Sequence, residues 1–193
     1  MERCHKTGIN CVAITDHGTA AGGLELQKVA PFKVIVGQEV MTREGEIIGL
    51  FLTEDIPTGL SARDAIACIK EQEGLVCLPH PCDRLRESIM RNSHRMSEIL
   101  GSVDVIEIFN ARSLHPGSNA KARRLAKNHR ILCSAGSDAH TPRDIGNAFV
   151  EMPDFQSRGD FLEALAEGRV VGRSSNPLYH FSRVWARLSN LFN

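Results

Sequence analysis

The stretches VAITDHGT (residues 12–19) and LCSAGSDAH (residues 132–140) decide the fold class of this chain. In each, apolar residues that favour β-strands lead to a carboxylate near an imidazole: Asp16 precedes His17, and Asp138 stands two residues before His140. Small or turn-forming residues follow both pairs, so each pair lies at the end of a predicted strand. Strand ends are where α/β folds place their chemistry, and carboxylate with imidazole is a ligand set of catalytic divalent metals. The two stretches therefore predict an α/β fold with a metal site.

Strand-like and helix-like segments alternate along the whole chain. The predicted strands lie at about 10–15, 33–37, 46–53, 75–78, 103–109, 131–134 and 147–152. The predicted helices lie at about 1–7, 20–30, 62–73, 117–128 and 158–168, with Gly8 as the C-cap of the first and Ser61 as the N-cap of the third. Short connections between alternating strands and helices are typical of a parallel α/β fold.

Polar and ionisable residues recur at the ends of these predicted strands. They are Asp16-His17, Glu39, His80, Asn110 and Asp138-His140. Any one of them has an ordinary explanation, and Asp16 alone could simply cap the next helix. Since the strand ends of a barrel converge on one face, the recurrence favours a barrel over an open sheet and brings these groups into one site.

The composition limits the class of protein. At 193 residues and 42% hydrophobic, the chain suits one domain with a sizeable core. The formal net charge is zero and no basic run exceeds two residues, so the sequence predicts no strong nucleic-acid-binding patch. No apolar run reaches membrane-spanning length and the start resembles no signal peptide, so we expect a soluble, cytoplasmic protein. The six cysteines contain no CxxC pair, which favours reduced thiols.

Two of the strand-end groups have chemically distinct capacities. Glu39 is a lone acid directly after a hydrophobic strand, and a carboxylate in that place can bridge two metals. His80 stands between Pro79 and Pro81, so a stiff backbone offers one imidazole. We interpret both residues as candidate metal ligands.

The spacing within the two acid–imidazole pairs differs. Asp138 and His140 are two residues apart and point to the same side of an extended strand end. Asp16 and His17 are adjacent, so only one of them faces the site in regular strand geometry. We favour His17 as the ligand, with Asp16 as its supporting partner or as a weaker ligand.

Three arginines are candidates for binding a substrate phosphate, because guanidinium suits bidentate phosphate binding. Arg84 and Arg86 closely follow His80, and Arg112 closely follows Asn110. Asn110 itself is a candidate for contact with the substrate. Nucleophilic serine catalysis, a P-loop and a dinucleotide site are not supported, since their motifs do not occur in the sequence.

The motifs ITDHGT, GQEV, LPHP and GSDAH, in this order, resemble those of the PHP (polymerase and histidinol phosphatase) family. The resemblance covers most of residues 8–172. It implies a distorted (β/α)7 barrel with up to three divalent metals, and members of the family are mostly phosphoesterases. The metals could be Zn, Mn or Fe, since mixed imidazole and carboxylate ligands suit all three.

The resemblance also implies a role for each matching residue. Glu39 would bridge two metals, and Asp138 would complete the first site. His80 would bind the second metal, and His17 and His140 would belong to the third.

Two departures from the family pattern affect these expectations. The family's first motif, an HxH at the end of strand one, is absent, so the barrel is expected to lack its first strand and Met1 to be internal to a longer protein. The other departure follows the bridging acid, where many members carry a His. Here Ile47-Ile48-Gly49 offers none, and water or Asn110 could replace that ligand.

The leading hypothesis is a metal-dependent phosphoesterase that hydrolyses a small phosphorylated substrate or a nucleotide or oligonucleotide phosphoester through a metal-bound hydroxide. Residues 1–172 would form this metallohydrolase domain, and 173–193 a helical tail. The alternative is a catalytically impaired PHP-like remnant that acts as a metal-binding, structural or regulatory module. Metal-dependent C–N hydrolysis is a third hypothesis, against which the sequence offers no candidate carboxylated Lys at a strand end.

Overall fold

The computed structural model describes residues 1–83, 86, 88, 97–113, 115 and 117–173. The strands are β1 (Cys11–Ile14), β2 (Lys33–Met41), β3 (Glu46–Leu50), β4 (Leu75–Leu78), β5 (Val105–Asn110), β6 (Leu132–Gly136), β7 (Ala148–Glu151) and β8 (Arg169–Gly172). The helices are α1 (Glu2–Thr7), α2 (Ala21–Val29), α3 (Ala62–Glu71), α4 (Ser118–His129) and α5 (Arg158–Ala166), with a 3-10 turn at Leu100–Ser102. The arginine candidate Arg84 and the expected tail from 174 onward lie outside the described residues.

Strands β1 to β6 lie side by side in chain order and form one curled, half-barrel sheet. The pairs β1–β2, β4–β5 and β5–β6 are parallel. Strands β7 and β8 form a separate antiparallel pair. The expected α/β class is confirmed. The resemblance implied a (β/α)7 barrel without its first strand, and the described strands form a curled half-barrel.

The expectation of a wholly parallel sheet is wrong at β3, which runs antiparallel to both of its neighbours. Only residues 42–45 separate β2 from β3, and a parallel crossover needs a much longer connection. The Thr42 hydroxyl stabilises this tight turn, because it donates to the Gly45 carbonyl at 2.5 Å and accepts from the Gly45 N–H. As a result β2 continues to Met41, and Glu39 lies inside the strand that the sequence ended before it.

Local signals in the sequence account for several helix ends. Gly8 has φ 71°, and its left-handed conformation closes α1 as predicted. Ser61 begins α3 by accepting a hydrogen bond from the Asp64 N–H at 3.1 Å. Ser157 and Asp160 form a capping box at the start of α5.

Two groups of buried apolar side chains hold the sheet. Strand β4 is buried along its whole length, which is typical of a strand covered on both faces. Ile47, Ile69 and Val76 belong to one group, and Phe161 belongs to the other. The core thus fixes β2 to β5, which carry or lead into several of the polar site residues. Among the described helices, none has the length and apolar content needed to cross a membrane.

Candidate metal centre

A first cluster, here called the Glu39 cluster, consists of His17, Glu39, Glu46 and His80. The backbone after β1 continues alongside β2, because the Glu39 N–H donates to the Asp16 carbonyl at 3.0 Å and His17 pairs with Glu39 in an isolated bridge. This places His17 Nδ1 3.2 Å from Glu39 Oε2. The other Glu39 oxygen, Oε1, lies 3.4 Å from His80 Nε2.

Glu46 completes this cluster, and the sequence reasoning missed it. In the β2–β3 hairpin, Glu46 pairs with Met41 and Ile48 pairs with Glu39, so the two acids are diagonal neighbours on one face of the sheet. Glu46 Oε2 lies 3.5 Å from His80 Nε2. Glu46 directly precedes Ile47-Ile48-Gly49, the segment in which the sequence analysis found no ligand. If the sequence had been interpreted as a β-hairpin over this segment, the pairing of β2 with β3 would have placed Glu46 beside Glu39.

The donor atoms of the Glu39 cluster fit a divalent metal. One ligand atom each from His17, Glu39 and Glu46 lie within 4.8 Å of one another. Glu46 Oε2 and His80 Nδ1 are buried and have no hydrogen-bond partner among the described residues. Buried polar atoms are normally satisfied, so an unpartnered carboxylate oxygen beside two imidazoles indicates a place for a cation.

The electrostatics of the cluster point the same way. Burial raises the pKa of Glu46, and the negative charge of Glu39 raises it further. Burial alone would lower the pKa of His80, but the hydrogen bond to Glu39 and the charge of Glu107 outweigh it and raise that pKa. The cluster therefore attracts protons in the absence of another cation.

His80 is held by the buried carboxylate of Glu107 on β5. The His80 backbone has φ 27°, a conformation that residues other than glycine rarely adopt. The His80 N–H donates to Glu107 Oε2 at 2.7 Å, and Asn110 Nδ2 donates to the same oxygen at 2.9 Å. Glu107 thus secures the strained backbone that directs the His80 ring.

Gly136 at the end of β6 makes room for that carboxylate. A Cβ atom at Gly136 would lie 1.7 Å from Glu107 Oε1, closer than any real contact. Glycine is therefore required at this position by the close approach of a neighbouring side chain.

A second cluster, here called the Asp138 cluster, consists of Arg86, Arg112, Asp138 and His140. Asp138 accepts hydrogen bonds from Arg86 Nη1, from Arg112 Nη1 at 3.0 Å and from Asn110 Nδ2 at 3.2 Å. Burial would raise the pKa of Asp138, but the charge and hydrogen bond of Arg86 and the charge of Arg112 lower it overall.

His140 brings the Asp138 cluster close to the Glu39 cluster. Its Nδ1 is 3.4 Å from Asp138 Oδ1 and 2.6 Å from Arg112 Nη1. Its ring centroid is 6.5 Å from that of His17. The chain segments that follow β1 and β6 therefore lie close together.

Other predicted site residues lie nearby with different surroundings. The Asp16 carboxylate lies beside α2, where its Oδ2 would be 2.3 Å from a Cβ at Gly22. Asp16 is absent from the described group of ligand atoms that could share one ion. Asn110 is buried and connects Glu107 to Asp138, and its Oδ1 accepts from the Arg112 N–H at 2.9 Å.

An open cleft of about 540 Å³ begins at the Glu39 cluster. Its lining residues are His17, Gly18, Glu39, Met41, Thr42, Arg43, Thr58 and Gly59. The candidate metal centre is thus accessible from one side.

Comparison with known proteins agrees with this geometry. Residues 116–170 match the family model described as PHP-associated. A Bacteroides vulgatus two-domain protein containing a predicted PHP-like metal-dependent phosphoesterase superposes with a TM-score of 0.63 at 17% identity, over 88% of this chain and 58% of that one. The resemblance to the PHP family is confirmed.

Two further comparisons find one protein of similar fold and one of similar sequence. The lesion-specific endonuclease EndoQ of Pyrococcus furiosus has the same fold, with a TM-score of 0.64 at 19% identity over 88% of this chain and 51% of that chain. An uncharacterized protein of Methanocaldococcus jannaschii is 48% identical over 109 residues, which is 55% of this chain. The chain spans 61% of that relative's length.

Proposed function

We propose that the Glu39 cluster holds a divalent ion in a metal-dependent phosphoesterase site. The observation that carries the proposal is the approach of one ligand atom each from His17, Glu39 and Glu46 to within 4.8 Å. Glu46 also has a buried oxygen, Oε2, with no hydrogen-bond partner among the described residues. Both acids and both imidazoles offer the mixed donors that Zn, Mn and Fe accept. The PHP fold and the names of the solved neighbours are consistent with this chemistry.

Each residue has a proposed role at the ion. Glu39 directs one oxygen to His17 and the other to His80, an arrangement that suits a carboxylate bridging two ions. His17 and His80 act as ligands, and Glu46 occupies the place of the ligand that the segment after β2 otherwise lacks. Asp138 and His140 complete the site on the other side.

Bound divalent ions supply Lewis-acid catalysis to such a site. Arg112 contacts both Asp138 and His140, so its guanidinium lies where it can bind a phosphoryl oxygen of the substrate. Arg86 keeps Asp138 ionised. The proposed substrate is a small phosphomonoester or a nucleotide or oligonucleotide phosphoester. Because one structural neighbour is an endonuclease, the test includes an oligonucleotide.

The test combines metal binding with turnover of p-nitrophenyl phosphate and of a 5′-phosphorylated oligonucleotide. We expect Mn²⁺ to bind and to support hydrolysis, and Glu39→Gln and Glu46→Gln to weaken both. Glu25→Gln, which removes an exposed acid on α2, is the matched control and leaves both unchanged. Metal binding without turnover of any phosphoester would contradict the enzyme proposal and favour a metal-binding or regulatory module.

A further inference from the structure

The cleft at the Glu39 cluster is also lined by an arginine that has no acidic partner among the described residues. Arg43 lies in the turn just after β2 ends at Met41, and it lines the cleft together with Glu39 and Met41. Arg43 is exposed, and no described carboxylate forms an ion pair with it. The arginines at the Asp138 cluster differ, because Asp138 already binds both Arg86 and Arg112.

The backbone around Arg43 is fixed. Its N–H donates to the Leu60 carbonyl at 3.0 Å, and the Gly59 N–H donates to the Met41 carbonyl at 3.0 Å. Its Nε donates to the Gly59 carbonyl at 3.1 Å, which orients the guanidinium and leaves the terminal nitrogens for another acceptor. A positioned cation therefore lines the cleft.

The turn after His17 also lines the cleft. Gly18 has φ 72°, and a Cβ there would lie 3.4 Å from Thr58 Cγ2. The exposed side chain of Met41 contributes apolar surface between Glu39 and Arg43. The cleft thus offers a ligand the Glu39 carboxylate, apolar surface from Met41 and the Arg43 guanidinium.

We infer that this cleft binds the leaving group of the substrate and that Arg43 binds a second anionic group on it, a carboxylate or a phosphate. The inference rests on the proposed function, since it places the reacting phosphate at the Glu39 cluster. An extended chain places the Arg43 Cα at most about 13 Å from the Glu39 Cα. The arginine side chain reaches back over part of that distance, so a spacer of about four to six carbons separates the two anionic groups.

The test measures binding of compounds that cannot be hydrolysed. In buffer containing MnCl₂, calorimetry compares n-alkylphosphonates with ω-phosphonoalkanoates whose spacers contain two, four or six carbons. For the wild-type chain we expect the added carboxylate to strengthen binding about tenfold at the best spacer length and little at the shortest. In Arg43→Gln that advantage disappears, while affinity for the plain alkylphosphonates stays unchanged.

Two further variants make the result specific. Arg43→Lys keeps the charge but loses the planar fork, so it retains part of the advantage. Arg123 is an exposed arginine on α4 that does not line the cleft, so Arg123→Gln should retain the whole gain in affinity from the added carboxylate. A carboxylate advantage that survives in Arg43→Gln, or that is absent from the wild type at every spacer length, would overturn the inference and leave the proposed function intact. Failure of every phosphonate to bind would instead overturn the proposed function, and this inference with it.

Discussion

The Glu39 cluster and the Asp138 cluster contain similar residue types but balance their charges in opposite ways. In the Glu39 cluster, two acids face imidazoles, and the buried Glu46 Oε2 has no hydrogen-bond partner among the described residues. In the Asp138 cluster, one acid receives hydrogen bonds from two guanidinium groups and from Asn110. The pKa of Glu46 is raised by burial and by Glu39, whereas that of Asp138 is lowered by its arginines.

The difference shows which part of the centre requires an added cation. Two guanidinium groups pair with Asp138, whereas Glu46 faces only the imidazole of His80 at 3.5 Å, and its Oε2 has no hydrogen-bond partner among the described residues. The first divalent ion should therefore bind at the Glu39 cluster. Glu107 connects the two clusters, because its Oε2 accepts from the His80 N–H and from Asn110, which also donates to Asp138.

The largest effect is expected from disturbing that connection. Gly136→Ala introduces a Cβ 1.7 Å from Glu107 Oε1, so the carboxylate must move away from both His80 and Asn110. We expect a loss of about 3 kcal/mol in the free energy of unfolding, typical of severe overpacking. Urea denaturation monitored by circular dichroism measures it.

Gly101→Ala is the control for this substitution. A Cβ at Gly101 meets no atom within 4 Å, so its cost should lie within about 0.5 kcal/mol. Equal stability of the two variants would show that Glu107 is free to move and would remove its connecting role.

Next in size is the effect of each acid on binding of the first metal ion. Glu46→Gln removes a charged ligand from the Glu39 cluster, so we expect Mn²⁺ affinity to fall about 100-fold, or about 2.7 kcal/mol. Asp138→Asn should reduce it less than tenfold, because Asp138 is already neutralised by Arg86 and Arg112. Equilibrium dialysis at substoichiometric Mn²⁺ checks both values. A larger loss in Asp138→Asn would place the first ion at the other cluster.

The same comparison shows what the sequence could predict. Strand and helix order, the end of α1 at Gly8 and the start of α3 after Ser61 follow from local patterns, and the structure agrees. Local patterns did not predict β8, which begins directly after the helix predicted over 158–168. There Gly172 packs so closely that a Cβ would lie 2.2 Å from the Phe109 ring, a contact between distant parts of the chain.

The residues missed in the site have the same physical explanation. Glu46 enters the Glu39 cluster only because β3 pairs antiparallel with β2, and strand direction depends on the turn at 42–45. In the sequence Glu107 is one residue within a predicted buried strand, with no motif around it. Its role follows only from its contacts with His80 and Gly136 in the structure. By contrast, His17, Glu39 and His80 lie at ends of elements that sequence patterns identify, and the structure brings them together.

A third prediction uses pH to compare the two clusters in the metal-free protein. The folded-state pKa of Asp138 lies below its ordinary value, so its stabilisation is present above about pH 4 and is lost as the pH falls through the folded-state value. Asp138→Asn should therefore reduce the free energy of unfolding by about 2 kcal/mol at pH 7, with the difference shrinking toward pH 3.

The contribution of Glu46 to stability should depend on pH in the opposite direction to that of Asp138. Its pKa is raised on folding, so its contribution to stability is present at low pH and is lost as the pH rises through the folded-state value. Relative to the wild type, Glu46→Gln should become more stable as the pH rises from 4 to 7. Denaturation curves at several pH values in this range check both variants. If the difference in free energy of unfolding from the wild type changed with pH in the same way for both variants, the two carboxyl groups would share one environment.

The smallest effect on stability is expected at the exposed edge of the Glu39 cluster. The His17 side chain is 63% exposed, whereas that of His80 is 4% exposed. His17→Ala should therefore change the free energy of unfolding of the metal-free protein by no more than about 0.5 kcal/mol. Yet it removes one of the three atoms placed to share an ion, so the rise in melting temperature on adding Mn²⁺ should shrink. An unchanged rise would mean that the ion uses Glu39, Glu46 and His80 without His17, and the centre would then lie deeper than the cleft.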